Sequence, residues 1–522
     1  MATGLPAQLS SLLKPQAYPH PVAAVQLVET HISWVLLTGE LAYKIKRPVH
    51  YSFVDLRSPE RRAFFCAEEL RLNRRFAPEL YVDVCEIAAS HGEARIAGQG
   101  EVIEHAVRMR QFERENELDR LLASARIAPP ELDRFGRDLA AIHEQLPVAQ
   151  ESQTWGRAAD VRALLLENFD QCLEVAAPLG TQAELRALRQ QYAARLDALE
   201  PWLAARRQAG RVRECHGDLH ARNIVRYGGR LIAFDCVEFA PAFRWIDVAD
   251  EIAFLLMDLD ARRCPLHAQA FRGGYLAHSG DFQACRVLGL YEIHRALVRA
   301  KVTALEAAQA SRGTARDTAL EQHRVYLDCA RRQLAPQRPR LLLMCGLSGS
   351  GKTWMAERLA PLLGAVHVRS DVERKRLAGL AERERSHSAV EQGLYAREVS
   401  AHVYERLAQC ADDALAGGYT VIVDATLQRR ADRLRFRELA AQRGAQLRLI
   451  HCSAAHDVLR ARIALRAGSG TDASEADPSV LQWQETHFEP VGAEEGIAVI
   501  DADTTRAEIV AEVLARITAA GS

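Results

Sequence analysis

No apolar run in the chain approaches the length needed to cross a bilayer; the longest, such as Ile252–Met257, have the length of a buried core segment. The opening stretch MATGLPAQLSSLLKPQAYPHP lacks the charged-then-apolar pattern of a secretory leader. The 11 cysteines are odd in number and contain no Cys-x-x-Cys pair, which argues against a disulfide framework and a structural zinc site. There is no basic excess: the formal net charge is −1, whereas a dedicated nucleic-acid binder carries cations to meet phosphates. A local basic groove stays open. Internal repeats and long low-complexity segments are also missing. These absences point to a cytoplasmic protein with no membrane partner.

What is present is ample core material. At 522 residues, 48% apolar and 26% charged, the chain should form two or three domains that need no staples. Residues 25–46 read as two short strands, VQLV and WVLLTGELAYKIK, with Thr38-Gly39 as a turn. Residues 58–76 read as a helix with Ser58 as N-cap and Pro59 at its first position. Residues 131–145, 157–209 and 245–335 have helical periodicity, while 213–239 shows short apolar runs between polar residues. The segment 333–340, QLAPQRPR, holds two prolines where a helical tract stops, and reads as a linker. Domains over 1–335 and 336–522 are therefore expected. Beyond the linker, strands are expected at Leu341–Cys345, Ala365–Val368, Thr420–Val423, Leu447–Cys452 and Ile497–Ile500, with helices between them. That alternation implies a parallel sheet covered on both faces.

The strongest local motif is Gly346-Leu-Ser348-Gly349-Ser350-Gly351-Lys352-Thr353, which fits G-x-x-x-x-G-K-S/T between an apolar strand and a helix. Glycines let successive backbone N–H groups face a phosphate, and the helix N-terminus adds positive potential. Lys352 can reach the β/γ phosphates of ATP, and the Thr353 hydroxyl can ligate Mg²⁺. After the second strand, Asp371 is placed to take a proton from an acceptor hydroxyl; helix capping is its alternative role. Asp424 ends the third strand, where it either holds Mg²⁺ through water or serves structure alone. Arg460, Arg462 and Arg466 share a helix ahead of a Gly/Ser/Asp loop, which reads as a lid bringing arginines to the phosphates or as a solvated face. This half resembles the P-loop small-molecule and polynucleotide kinases, the group of gluconate kinase, chloramphenicol phosphotransferase and zeta toxin, over about 338–520. The resemblance implies a five-stranded parallel sheet with helices on both faces, Asp371 as catalytic base and Arg374 as an acceptor or phosphate contact.

A second motif is Cys215-His216-Gly217-Asp218-Leu219-His220-Ala-Arg-Asn223-Ile-Val. Asp218 and Asn223 stand five apart, the interval at which protein kinases place a proton-accepting Asp and a metal-binding Asn, and Asp235 follows twelve residues on as a second metal ligand. His216 and His220 are four apart, but Gly-Asp interrupts the zinc-protease pattern, so zinc is not expected. Upstream, Lys44 fits the strand lysine that holds the nucleotide phosphates, with Lys46 on the same face as rival. Glu69 is the expected ion-pair partner, with Glu68 as alternative, and Met109–Phe112 the expected adenine hinge. From about 20 to 330 this half resembles the aminoglycoside phosphotransferase and choline kinase group, on the H-G-D-L-H-x-x-N-I run and on Asp247, which the resemblance assigns to supporting the catalytic loop. It implies a protein-kinase-like bilobal domain. Two departures stand out: no glycine in the nucleotide loop (Glu29–Trp34), and the helical insertion near 157–209. Arg295, Arg299 and Lys301 lie on a helix beyond Asp235, as a contact for an anionic acceptor or as a solvated face.

The expected fold is α/β and α+β, a bilobal kinase-like domain followed by a P-loop sandwich. The expected function is a bifunctional ATP- and Mg²⁺-dependent phosphotransferase acting on small-molecule hydroxyls. Its rivals are a degenerate regulatory N-terminal half and a nucleic-acid 5′-hydroxyl kinase in the C-terminal half.

Overall fold

A computed structural model describes residues 4–51, 54–310, 313–382, 384, 397–469 and 478–519. By packing, the chain forms two compact units. One comprises 1–131, 142–161 and 204–258; the other comprises 132–141, 162–203 and 259–522. The 333–340 segment thus lies inside the second unit.

The first unit is built on a six-stranded antiparallel sheet. Its strands are β1 (Gln26–Glu29), β2 (Ser33–Leu37), β3 (Leu41–Lys46), β4 (Tyr81–Ser90), β5 (Glu93–Ile96) and β6 (Glu101–Arg110), in spatial order β1-β2-β3-β6-β4-β5. The stretch 25–46 makes three strands rather than two, because Thr38 closes a hairpin onto Leu41 and splits the longer run. Strand alternation explains what β3 does. Tyr43 and Ile45 join Leu9, Leu12, Leu36 and Ile87 in a buried cluster. Lys44 and Lys46 face the other way, toward helix α1 (Pro59–Asn73). Ser58 caps α1 by accepting from Arg61 N–H, as expected. A short hairpin of β7 (Ile224–Tyr227) and β8 (Arg230–Ala233) follows the Asp218–Asn223 loop.

The longer helices up to the linker are α2 (Pro129–Gln145), α3 (Ala158–Val175), α4 (Gln182–Gln208), α5 (Val248–Ala261), α6 (Pro265–Ser279), α7 (Ala284–Gln309) and α8 (Thr314–Leu334). The helical insertion near 157–209 consists of two helices, α3 and α4. The tract 245–335 opens on a short strand, Trp245–Asp247, before its helices begin.

In the second unit, β9 (Arg340–Cys345), β10 (Val366–Arg369), β11 (Val421–Asp424), β12 (Gln446–Ser453) and β13 (Val499–Asp503) form a wholly parallel sheet in the order β10-β11-β9-β12-β13. All five expected strands are present. Leu341–Cys345 is fully buried, as a central strand covered on both faces requires. The helices here are α9 (Lys352–Leu363), α10 (Ser370–Leu377), α11 (Arg397–Ala416), α12 (Arg430–Gln442), α13 (His456–Ser469), α14 (Pro478–His487) and α15 (Ile509–Ala519). Helix α9 buries Met355, Ala356 and Leu359 with Leu342, Ile450 and Ile500, which holds the loop between β9 and α9 over the carboxyl ends of the strands. Among the described residues no helix is long and apolar enough to cross a membrane.

Candidate active sites

In the first unit, β3, α1 and the loop after β8 bring five charged side chains together. Lys44 Nζ lies 2.7 Å from Glu69 Oε1 and also pairs with Asp235. Lys46 Nζ lies 2.5 Å from Glu69 Oε2 and pairs with Glu238. Glu69 therefore bridges both lysines, but Lys44 is the one that meets Asp235. Glu68 instead pairs with Arg71 and Arg244. Lys46, Glu69 and Glu238 are almost wholly shielded from solvent. Burial works against the charge of Lys44, but Asp235 and Glu69 outweigh it and hold the ammonium well above the ordinary lysine range. Burial likewise opposes the charge of Asp235, and Lys44 overrides it, so this carboxyl sits below the usual range. Asp235 adopts φ +66°, a left-handed backbone that costs a non-glycine residue energy and is found where a loop is held in one functional shape. Its N–H donates to the buried Tyr81 hydroxyl at 3.1 Å, which helps hold that shape.

The loop from His216 to Asn223 is organised by its own short-range bonds. Asn223 Nδ2 donates to Asp218 Oδ2 at 2.9 Å and to Asp218 O at 3.0 Å. His220 Nε2 lies 3.4 Å from Asp218 Oδ2. His216 is buried, with Nε2 at 2.8 Å from Phe234 O and Nδ1 accepting from Asp218 N–H, and burial pulls its pKa down to about 4. Both ring nitrogens are thus used to brace the loop. The Asn223 amide has spent its N–H on Asp218, so its oxygen and the Asp235 carboxylate are hard donors of the kind that suit Mg²⁺.

Among the described bonds Asp247 makes none to the His216–Asn223 loop. It takes a bidentate bond from Arg206 at 2.7 and 2.7 Å, which gives the end of α4 a structural task. The loop is held instead by Glu251, accepting from His216 N–H at 2.6 Å and Gly217 N–H at 3.0 Å, and by Asp258, accepting from Ala221 N–H at 2.9 Å. A legible signal existed: carboxylates buried in the otherwise apolar run VADEIAFLLMDLDA need polar partners. His143, Cys215 and Glu251 also lie within 4.8 Å of one another. Glu251 is committed to the backbone amides of His216 and Gly217, and burial holds the Cys215 thiol well above its ordinary pKa. Met109 is buried, and Phe112 packs edge-on against Phe234 at 5.0 Å. The glycine-free nucleotide loop is a tight turn in which Thr30 Oγ1 accepts from Ser33 N–H at 2.9 Å.

In the second unit, Gly346, Gly349 and Gly351 all have φ between +80° and +138°. A Cβ on Gly346 would stand 2.3 Å from Cys452 O, so only glycine fits. Lys352 Nζ donates to Leu347 O at 2.8 Å, folded along the loop it would leave on meeting a phosphate. Burial pulls its pKa below the ordinary value, with Asp424 pulling the other way. Thr353 stands in the first turn of α9. Asp424 pairs in register with Met344 of β9, and His367 Nε2 lies 3.2 Å from its Oδ2. Asp371 is the second residue of α10, not its cap, so the capping alternative falls. Arg374 Nη1 donates to Ser400 Oγ at 3.2 Å. Among the described residues the buried Ser350 hydroxyl has no hydrogen-bond partner.

Arg462 is held at the rim of the phosphate loop by Gly349 O at 3.2 Å and Thr504 Oγ1 at 2.8 Å, while Arg460 is exposed. Arg466 belongs to the same helix, but its side chain and the Gly/Ser/Asp loop after it lie outside the described residues. Arg295 is buried, Arg299 stacks over Tyr326, and Lys301 donates to Asn168 and Gln171, so these cations do not form a solvated face. Gln484 on α14 went unnoticed in the sequence: its Oε1 accepts from Ser348 N–H at 2.7 Å, and both residues are buried. Gln484→Leu orphans that donor at a cost of about 1–3 kcal/mol. The expected result is ATP binding at this site weakened by roughly fivefold or more in titration calorimetry. Tighter binding would show that Gln484 competes with a phosphate rather than shaping the loop.

Residues 50–288 match the model of a phosphotransferase enzyme family, and residues 341–491 match an AAA domain model. An uncharacterized protein of Mycobacterium tuberculosis and one of Mycobacterium bovis are each 29% identical over 458 residues, covering 87% of this chain and 89% of theirs. Among solved structures, a gluconokinase from Sinorhizobium meliloti is 24% identical over 35% of this chain and 97% of its own, with a TM-score of 0.24. A sugar kinase from Janibacter is 20% identical over 35% and 93%, with a TM-score of 0.27.

Proposed function

We propose that this chain, which joins an aminoglycoside-phosphotransferase-type domain to a P-loop kinase-type domain, moves the γ-phosphate of ATP to hydroxyl groups of small molecules at two sites. The observation that carries the reading is the convergence of Lys44, Glu69 and Asp235 in the same unit as the Asp218–Asn223 pair. It is matched by the glycine-shaped loop before Lys352 in the other unit.

At the first site Lys44 exchanges its bond to Asp235 for the nucleotide phosphates, while Glu69 keeps it oriented. Asp218, part-exposed and steadied by Asn223, accepts the proton of the acceptor hydroxyl. At the second site the backbone amides and Lys352 grip the phosphates, and Asp371 takes the proton. Asn223 with Asp235, and Thr353 with Asp424, would hold Mg²⁺. Bound there, the cation would supply charge neutralisation to the phosphates. A formal net charge of −1 disfavours a nucleic-acid acceptor at either site.

The test is ATP consumption by the full chain against a panel of hydroxyl metabolites that includes a 5′-hydroxyl oligonucleotide, with Asp218→Ala and Asp371→Ala assayed separately. Each substitution is expected to abolish a different set of turnovers. If neither alters any turnover, the assignment of bases fails. Labelling of the oligonucleotide alone would move the second site to nucleic-acid ends. The closed Thr30–Ser33 turn favours one further reading, in which the first site binds nucleotide only to regulate the second. There, Asp235→Asn changes second-site turnover, and no acceptor is lost with it.

A further inference from the structure

Helix α10 has two working faces. Asp371 and Arg374, three apart, lie on one; Glu373 and Arg376, also three apart, lie on the other. The first face carries the chemistry proposed for the second site. The second is bound to α6, a helix that falls within the 50–288 family match although it packs in the same unit as the parallel sheet.

The attachment is a three-residue clamp. Glu373 is 1% exposed, and its two oxygens accept from Arg376 Nε at 3.0 Å and Arg406 Nε, on α11, at 2.9 Å. Those guanidinium groups then reach the carboxyl end of α6. Arg376 donates to His278 O at 2.6 Å and Ala277 O at 2.5 Å, and Arg406 donates to Gly280 O at 2.6 Å. Free carbonyls and the negative end of the helix dipole make this terminus a natural seat for cations. The seat is tightly fitted: Gly280 ends α6 at φ +63°, and a Cβ there would stand 2.6 Å from Arg376 Nε. A further tie runs from Arg137 to Glu382 at 2.5 Å, just beyond α10.

We propose that Arg376 and Arg406, held by buried Glu373, are positioning residues for the second site: by clamping α10 onto α6 they fix where Asp371 and Arg374 stand. The inference rests on the proposed function of that site. It also means that a segment matched to the first family is a working part of the second site. None of the three clamp residues contacts the phosphate loop in the bonds described, so the clamp acts on turnover and not on the grip of nucleotide.

The experiment uses the full chain carrying Asp218→Ala, which removes first-site transfer. Arg376→Ala/Arg406→Ala and Arg376→Lys are made in that background. Mg-ATP turnover with water as acceptor, Mg-ATP affinity, and amide hydrogen exchange over 370–380 are measured. Because displacements of about 1 Å at a catalytic group cost on the order of 100-fold, the double variant is expected to lose at least about tenfold in kcat. KM for ATP should stay within roughly twofold, and exchange over α10 should quicken by about tenfold or more. Arg376→Lys, which keeps a cation at the α6 terminus, should recover much of the kcat. Unchanged kcat, unchanged exchange, or a rise in KM alone would overturn the proposal. If the parent background binds Mg-ATP but shows no turnover with water or with any hydroxyl compound of the panel, the site's proposed function fails instead, and the exchange measurement alone decides whether the clamp orders α10.

Discussion

Asp218→Ala should lower first-site phosphoryl transfer by about 10²–10⁴-fold, the contribution typical of a positioned general base. The effect should fall on kcat. Lys44, Glu69 and Asp235 make their bonds to one another without Asp218, so the nucleotide site keeps its shape and KM for ATP should move little. Asp218 is fixed by Asn223 and His220 from its own loop, so its removal creates no large void. Steady-state kinetics with the acceptor found in the metabolite screen is the measurement. Equal kcat in the variant and the parent would remove Asp218 from the reaction. A rise in KM alone would make it a binding residue.

Lys46→Met should cost about 3–5 kcal/mol of stability, the penalty typical of breaking a buried ion pair from one side. Lys46 is fully buried between Glu69 and Glu238. Removing its charge leaves two carboxylates facing each other in a low-dielectric interior with only Lys44 to offset them. The double substitution Lys46→Met/Glu238→Met removes both charges and should cost less than the single one. The pH dependence has a definite sign. Burial already raises the Glu238 pKa against the pull of Lys46, and the single variant loses that pull. The folded variant then binds a proton that the unfolded chain does not, so its deficit should narrow as pH falls toward the unfolded glutamate value. Urea unfolding of both variants at two pH values checks this. A single-variant cost below about 1 kcal/mol, in the range of exposed pairs, would mean that the quartet is solvated.

The two candidate site motifs were legible because their members are close in sequence. Asn223 reaches Asp218 within one loop, and the phosphate loop is a run of local backbone conformations written in glycines. The five parallel strands were legible for a similar reason: each is a short apolar run between helices. Division of labour between Lys44 and Lys46 was not legible. Alternation puts both on one face of β3, and only the return of the chain at Asp235 and Glu238 tells them apart. Likewise Asp247 looked like a brace for the catalytic loop, yet the brace is Glu251 and Asp258, one and three turns further along the same polypeptide.

By itself, then, the sequence determined that this chain carries two phosphate-handling motifs on a kinase-like sheet and a parallel α/β sheet, because strand alternation, helix periodicity and glycine conformations act over a few residues. Tertiary structure alone decided which lysine meets Asp235, that Arg206 claims Asp247, that Gln484 shapes the phosphate loop, and that α10 is clamped to α6. Those bonds join side chains tens to hundreds of positions apart. Buried charges and N–H groups must find partners wherever the chain places them, and no local pattern records where that is.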